Sequence, residues 1–209
     1  MNLVLRIFLK NWPLYIFILG IFSLGAALGF FTVNNFTPQQ QGEIRDCLNS
    51  FLRQVEQFAP DPFQVLRLTL YENIFTVGLM YFLGLNFAGI PFILGIVMAR
   101  GFLFGYAYWC LVKTLPWPEL VPAFFSFFPP NLIYLPALAT GGAAALSFAL
   151  LTIKSKEGFR VNLWSSLAGY TAVMAVVLSV AVGAGLVEAI LSPWLVRAAA
   201  RVMQISLPG

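Results

Sequence analysis

Histidine is missing from this chain, and charged residues are scarce. None of the 209 residues is a histidine, and only 10% are charged. Without an imidazole there is no histidine general base, and no Ser–His or Cys–His pair can form. The charged fraction also lies well below the roughly 25% that is usual in soluble domains. These absences exclude the commonest hydrolytic machinery and argue against a soluble protein.

Cysteine is nearly absent too, since Cys47 and Cys110 are the only two. They are too few for a zinc site in a chain that lacks histidine. They could form one disulfide, but two separate cysteines in apolar surroundings are favoured. HExxH, GxSxG, a glycine-rich phosphate loop and paired intramembrane aspartates are also missing. We therefore expect no metal, no cofactor and no catalytic activity.

Long uncharged runs are what the chain does contain. No charge occurs within Asn11–Gly42, Leu120–Ile153 or Val161–Val187. Each run exceeds the ~20 apolar residues that a helix needs to cross a bilayer. The hydrophobic fraction is 60%. The pattern predicts an all-α, polytopic membrane protein that forms a single integral membrane domain over residues 1–209.

About five membrane-spanning helices are predicted. They are Trp12–Val33, Phe63–Leu85, Ala88–Leu111, Asn131–Thr152 and Leu163–Leu191. The second and third follow each other so closely that they must form a tight helical hairpin near Asn86–Pro91.

The basic residues predict how the chain is oriented. Arg6 and Lys10 precede the first span, and Lys154, Lys156 and Arg160 lie after the fourth. The positive-inside rule places both groups in the cytoplasm, and four crossings between them are consistent with this. Because the basic residues are scattered, the net charge of +4 reflects orientation and not binding of nucleic acid.

The segment 34–67 is then extracytoplasmic and contains an amphipathic helix, Pro38–Phe58. Its start has a Thr37 N-cap, proline at the first helical position and Gln40 at the third, which is a capping box. The polar face carries charges of both signs. The helix either lies on the outer leaflet or binds a protein partner, and the mixed charge slightly favours the partner. The residues predicted to contact it share the apolar face: Ile44, Leu48, Phe51, Leu52 and Val55.

Prolines predict two interruptions. Pro129 and Pro130 remove two backbone donors, so a re-entrant or broken segment is expected at 120–128, with the real span starting at Asn131. A sixth crossing through 120–128 would invert the side of the tail. Ser192-Pro193 predicts the cap of a short surface helix over 192–206.

Arg100 is the one charge deep in an apolar run. An arginine at mid-membrane costs at least ~2.5 kcal/mol on insertion scales. It could belong to a substrate or ion site, snorkel, or tie helices together through carbonyls near Pro129 or through Glu72. The tie is favoured. Gly101 and Gly105 form a GxxxG pair, which is more often a packing face within a chain than a dimer seam, although a homodimer remains open.

Several short stretches follow one another in a recognisable order. They are Leu14–Phe17, Val33-Asn34, Gly78–Gly84, Gly89–Pro91, Arg100-Gly101 with Gly105, Pro129–Ala137, Ser147-Phe148, Glu188-Ala189 and Ser192-Pro193. In this order the chain resembles the stage II sporulation protein M family over nearly its whole length. Related non-sporulation proteins tend to carry His-Gly and then Glu where this chain has Pro130-Asn131 and Tyr134, which favours the sporulation branch.

The resemblance implies a function that the residues alone do not. Proteins of this kind lie in the mother-cell and septal membrane and act in engulfment during endospore formation. They recruit two peptidoglycan hydrolases, the sporulation proteins D and P, without being catalytic themselves. The alternative is a small transporter or permease subunit that uses Arg100 and a broken helix at Pro129-Pro130.

Overall fold

The computed structural model describes residues 12–57, 62–114, 117–156 and 163–206. Nearly all of these residues are helical and none is in a strand, which confirms the all-α prediction. The six helices are α1 Trp12–Asn34, α2 Pro38–Gln57, α3 Pro62–Gly84, α4 Ile90–Thr114, α5 Trp117–Lys156 and α6 Leu163–Ser206.

The start of α2 has the predicted capping box. The Thr37 amide donates to Gln40 Oε1 at 2.9 Å, and the Gln40 amide donates to Thr37 Oγ1 at 3.4 Å. These two bonds satisfy donors that the first helical turn leaves without intrahelical partners. The cap therefore lets the chain turn from α1 into a second helix within a few residues.

The predicted hairpin between α3 and α4 is also present, as a 3-10 turn over Phe87–Gly89. The Asn86 side chain accepts from the Ala88 amide at 3.4 Å, and the Gly89 amide donates to the Asn86 carbonyl at 2.9 Å. A Cβ at position 89 would overlap the backbone of Leu83. Glycine is therefore required there for the turn to close.

Four stretches are long and apolar enough to cross a membrane within the described ranges. They are Trp12–Asn34, Phe87–Lys113, Asn131–Ile153 and Trp164–Ile190. Each matches a predicted span closely. The fifth predicted span is the helix α3, whose 23 residues make it about 35 Å long. Its polar residues, including Arg67 and Glu72, lower its hydropathy, so the count of five rests on α3 alone.

The two predicted interruptions are wrong. The helix α5 runs for 40 residues through Pro129-Pro130, and α6 runs for 44 residues through Ser192-Pro193. The described helices therefore show neither a break at 120–128 nor a separate helix over 192–206, and a separate crossing through 120–128 is excluded. Proline is tolerated in membrane helices because neighbouring helices, side chains and local adjustments satisfy the freed backbone groups. The local preference was outweighed by this environment.

The helices α1 and α4 form the most extensive contact between two helices. Four glycines line it, two from each helix. A Cβ on Gly25 or Gly29 would overlap backbone atoms of α4, and a Cβ on Gly101 or Gly105 would overlap backbone atoms of α1. The GxxxG pair of α4 thus packs within the chain, in agreement with the favoured interpretation.

The helices α5 and α6 pack along each other, and α3 lies against α6. An aromatic stack joins the three. The Tyr170 ring lies between Phe148, at a centroid distance of 4.8 Å, and Tyr81, at 5.3 Å. The Tyr170 hydroxyl also lies 3.0 Å from the Tyr81 carbonyl and 3.3 Å from that of Met80. It therefore caps the end of α3, where carbonyls lack intrahelical partners.

Large apolar side chains cover the outside of the bundle. Trp164 is 82% exposed, Ile190 74% and Phe82 70%. A soluble monomer rarely exposes contiguous apolar surface on this scale. The exterior is consistent with contact with lipid, as the hydropathy requires.

Candidate functional site

Arg100 lies near the middle of α4 and is held by two neighbouring helices. Its Nη2 donates to Thr76 Oγ1 at 2.6 Å, and its Nη1 lies 3.7 Å from Glu72 Oε2. Both partners belong to α3, one turn apart. The guanidinium also lies 5.6 Å from the ring centroid of Tyr134 on α5, within cation–π range. The favoured prediction of a tie between helices names Glu72 correctly.

A second polar contact joins α3 to α6. The buried Asn73 amide donates to the Ala181 carbonyl at 3.0 Å. Gly185 lies one turn further along α6, where a Cβ would be 3.5 Å from the Asn73 amide nitrogen. The small residue allows α3 to approach closely. The polar face of α3 therefore binds α4 on one side and α6 on the other.

A cavity of about 270 Å³ lies among these residues. Four helices contribute its polar lining: Thr69, Glu72, Asn73, Arg100, Tyr108, Asn131, Tyr134 and Glu188. Two carboxylates and one guanidinium meet here, so the lining carries one more negative than positive formal charge. Ionisable residues inside a membrane usually face protein or water, and these line a pocket between helices.

The depth of this cavity in the membrane follows from the positions of its lining residues along the helices. One side of the bundle, which we call the α2 side, contains all of α2. The ends of α1, α4 and α6 and the starts of α3 and α5 lie on the same side. Arg100 is near mid-span, whereas Asn131 and Glu188 lie near the ends of their spans on the α2 side. The cavity thus extends from the membrane centre towards that side.

The sequence predicts only part of this site. Arg100, Gly101, Gly105 and Asn131 were singled out, and the structure places Asn131 and Arg100 on the same cavity while the glycines pack against α1. The sequence does not predict that Thr76 binds Arg100, that Asn73 binds α6 or that Glu188 lines the cavity. A usable signal existed on α3, because Thr69, Glu72, Asn73 and Thr76 recur at the spacing of one helical face.

The predicted contact stripe of α2 is described only in part. The side chains of Leu48, Phe51, Leu52 and Val55 lie outside the described residues, as do those of Pro129 and Pro130. Ile44 is half-buried and lines a cleft with Val33 and Cys110. The backbone of α2 lies against α6 and α4. At least the first turns of α2 therefore pack against the membrane-spanning helices.

These features define a polytopic helical membrane protein whose core contains a polar cluster and whose α2 side has an amphipathic helix. The family model "Stage II sporulation protein M" matches residues 2–193, and the chain belongs to this family. The resemblance drawn from the sequence is thereby confirmed, and the family is one of sporulation-related membrane proteins. No curated protein and no solved structure matches the chain.

Proposed function

We propose that this protein is a non-catalytic membrane scaffold that recruits and localises peptidoglycan hydrolases at the septum during engulfment. Membership of the family supports a role in sporulation. The proposed partners are the sporulation proteins D and P, together with the lipid bilayer. The site of action is the mother-cell membrane.

The observation that carries the proposal is the accumulation of helix on the α2 side. The 40 and 44 residues of α5 and α6 correspond to about 60 Å and 66 Å, whereas the hydrocarbon core is about 30 Å thick. At the opposite side, α5 ends at Lys156 and α6 begins at Leu163, close to their apolar spans. The excess length therefore lies on the α2 side. Together with α2, it provides a platform for a partner outside the bilayer.

The proposal also requires that the α2 side of the protein face the cell wall. Arg6 and Lys10 precede α1, and Lys154, Lys156 and Arg160 lie in and beside the short connection between α5 and α6, both next to helix ends that lie opposite to α2. The α2 side has slightly more basic residues in total, but they are spread over longer segments together with most of the acidic residues. Because the positive-inside rule applies most strongly to short connections, it favours a cytoplasmic N-terminus and an α2 side that faces the cell wall. The hydrolases act on the wall, so their docking surface must lie on that side.

Thiol labelling in intact cells tests this orientation. A cysteine at the exposed Ser50 of α2 should react with a membrane-impermeant maleimide, whereas one at Lys156 should be protected, each in a Cys47→Ser, Cys110→Ser background. Both should react after permeabilisation, which controls for access. Labelling of the Lys156→Cys protein in intact cells, with protection of Ser50→Cys, would refute the orientation.

Introducing a negative charge into the apolar stripe tests the docking surface. Leu48→Asp and Phe51→Asp should each lower recovery of the two hydrolases in a pull-down from sporulating cells by about tenfold or more, because desolvating an unpaired carboxylate costs over 1.4 kcal/mol. Asn49→Asp adds the same charge on the polar face and should leave recovery unchanged.

The pull-down needs a second readout, because a stripe variant could also lose its own fold. Membrane accumulation and thermal midpoint should match those of the parent chain for all three variants. Equal recovery of hydrolases by well-folded Leu48→Asp, Phe51→Asp and parent protein would remove the stripe from the proposal.

The transporter alternative keeps only one of its two features. The helix is continuous through Pro129-Pro130, so no broken helix is available to form a substrate site. Arg100 is engaged by Glu72, Thr76 and the Tyr134 ring. The cavity beside it is compatible with transport. The family supports a role in sporulation, and for this reason we put the scaffold proposal first.

A further inference from the structure

A second cavity, of about 280 Å³, lies on the α2 side between the end of α1, the start of α2 and the end of α4. Its apolar wall includes Val33, Phe36 and Ile44. Its polar groups are Gln41, Arg45 and Lys113. We call it the basic cleft. It shares no lining residue with the cavity at Arg100.

The charge of the basic cleft has one sign. Arg45 and Lys113 are both exposed, and no carboxylate is among the lining residues. The neighbouring acids of α2, Glu43 and Asp46, do not line it, and Glu43 accepts a hydrogen bond from Gln39 at 3.4 Å. Within the residues that the structure describes, the ion pair found joins Arg100 to Glu72. The cleft therefore presents two cations whose counter-charge is not supplied by these neighbours.

The cleft lies at the level of the lipid headgroups. Val33 is next to the last residue of the first apolar span, and Lys113 is the last residue of the span Phe87–Lys113. Aromatic side chains contact its lining residues, as is typical of the interfacial region of a membrane protein. Phe36 packs edge-on against Tyr106 with centroids 6.1 Å apart, and the Lys113 ammonium lies 5.6 Å from the Trp109 ring centroid. A lipid phosphate would be at the same depth as the two cations.

We propose that the basic cleft binds the phosphate headgroup of an anionic phospholipid. Arg45 and Lys113 would engage the phosphate oxygens, Gln41 would donate to the headgroup, and the apolar wall would lie along the upper acyl chains. The volume is close to the lower end of the range for ligand pockets, which fits a headgroup and not a whole lipid. Such a lipid would join α2 to α1 and α4 and set its height above the bilayer. This inference is independent of any hydrolase partner.

Native mass spectrometry of the full chain in detergent tests the proposal. The protein is offered phosphatidylglycerol and phosphatidylcholine with the same acyl chains in equal amounts. We expect preferential retention of phosphatidylglycerol. A basic residue that engages the headgroup directly is expected to contribute about fivefold to attraction of an anionic lipid. Arg45→Gln and Lys113→Gln should therefore each lower the ratio of retained phosphatidylglycerol to retained phosphatidylcholine by about fivefold. The double variant should lower it by about thirtyfold.

Arg67→Gln is the matched control. Arg67 is exposed near the start of α3, on the same side of the membrane, and does not line the cleft. Its loss should leave the lipid ratio unchanged, whereas Arg45→Lys should largely restore it. An equal fall for Arg67→Gln, or no fall for the cleft variants, would overturn the proposal. Glycerol 3-phosphate added to the protein with bound phosphatidylglycerol distinguishes the source of the anion: displacement of the lipid at comparable concentration would identify a soluble-anion site and overturn the lipid assignment.

Discussion

Gly105→Ala is expected to lower the thermal midpoint of the purified protein by about 4–8 °C. The added Cβ would lie closer than 3.0 Å to three backbone atoms of Ala26 on α1. Backbone atoms cannot rotate away, so α1 and α4 must separate and lose packing along their shared face. Overpacking of this kind costs about 2 kcal/mol, and each kcal/mol shifts the midpoint of a chain of this size by about 2–4 °C.

Gly95→Ala on the same helix is the control. A Cβ at position 95 meets no atom within 4 Å, and alanine favours helix over glycine. The midpoint should therefore stay the same or rise. Equal destabilisation by both substitutions would mean that glycine matters for helix flexibility and not for the contact with α1. No destabilisation by Gly105→Ala would contradict the close approach itself.

Arg100→Met is expected to destabilise the protein by about 1–2 kcal/mol. The substitution leaves Glu72 and Glu188 on the cavity without the guanidinium. Breaking a fully buried pair costs about 3–5 kcal/mol, but the Arg100 and Glu72 side chains are 26% and 55% exposed, which reduces the effect. Chemical or thermal unfolding in detergent measures it.

Two further variants separate the charge from the hydrogen bond. Thr76→Val keeps the shape and the ion pair but removes the 2.6 Å bond, and should cost about 1 kcal/mol. Glu72→Gln in the Arg100→Met background should recover part of the loss, giving a coupling energy of about 0.5–3 kcal/mol in a double-mutant cycle. Additive effects would show that Arg100 and Glu72 do not act as a pair.

Local sequence patterns predict several features of the fold correctly. The capping box at Thr37 and Gln40 placed the start of α2 correctly, and Asn86 with Gly89 marked the hairpin, because these contacts join residues that are close in the chain. The spans followed from hydropathy, since a bilayer requires length and apolarity from each helix by itself. The bilayer makes these features readable without any knowledge of packing.

The prolines showed where local signals mislead. Pro129-Pro130 and Ser192-Pro193 predicted ends of helices, yet α5 and α6 continue through both. Proline reports only its own missing donor and its clash with the preceding turn. Whether the helix resumes depends on neighbouring helices and on the surrounding medium, which the residue itself does not encode.

By itself, the sequence determined the class of protein, the membership of the family, the main spans and the capped amphipathic helix. Only the tertiary structure decided which helix each polar residue and each glycine faces: Arg100 meets Glu72 and Thr76, and Asn73 meets α6. The glycines of α4 meet the backbone of α1 at Phe22 and Ala26. Such contacts join residues far apart in the chain, and several helix pairings satisfy the same hydropathy pattern. Backbone approach at the glycines and the need to pair polar groups away from water select one of them.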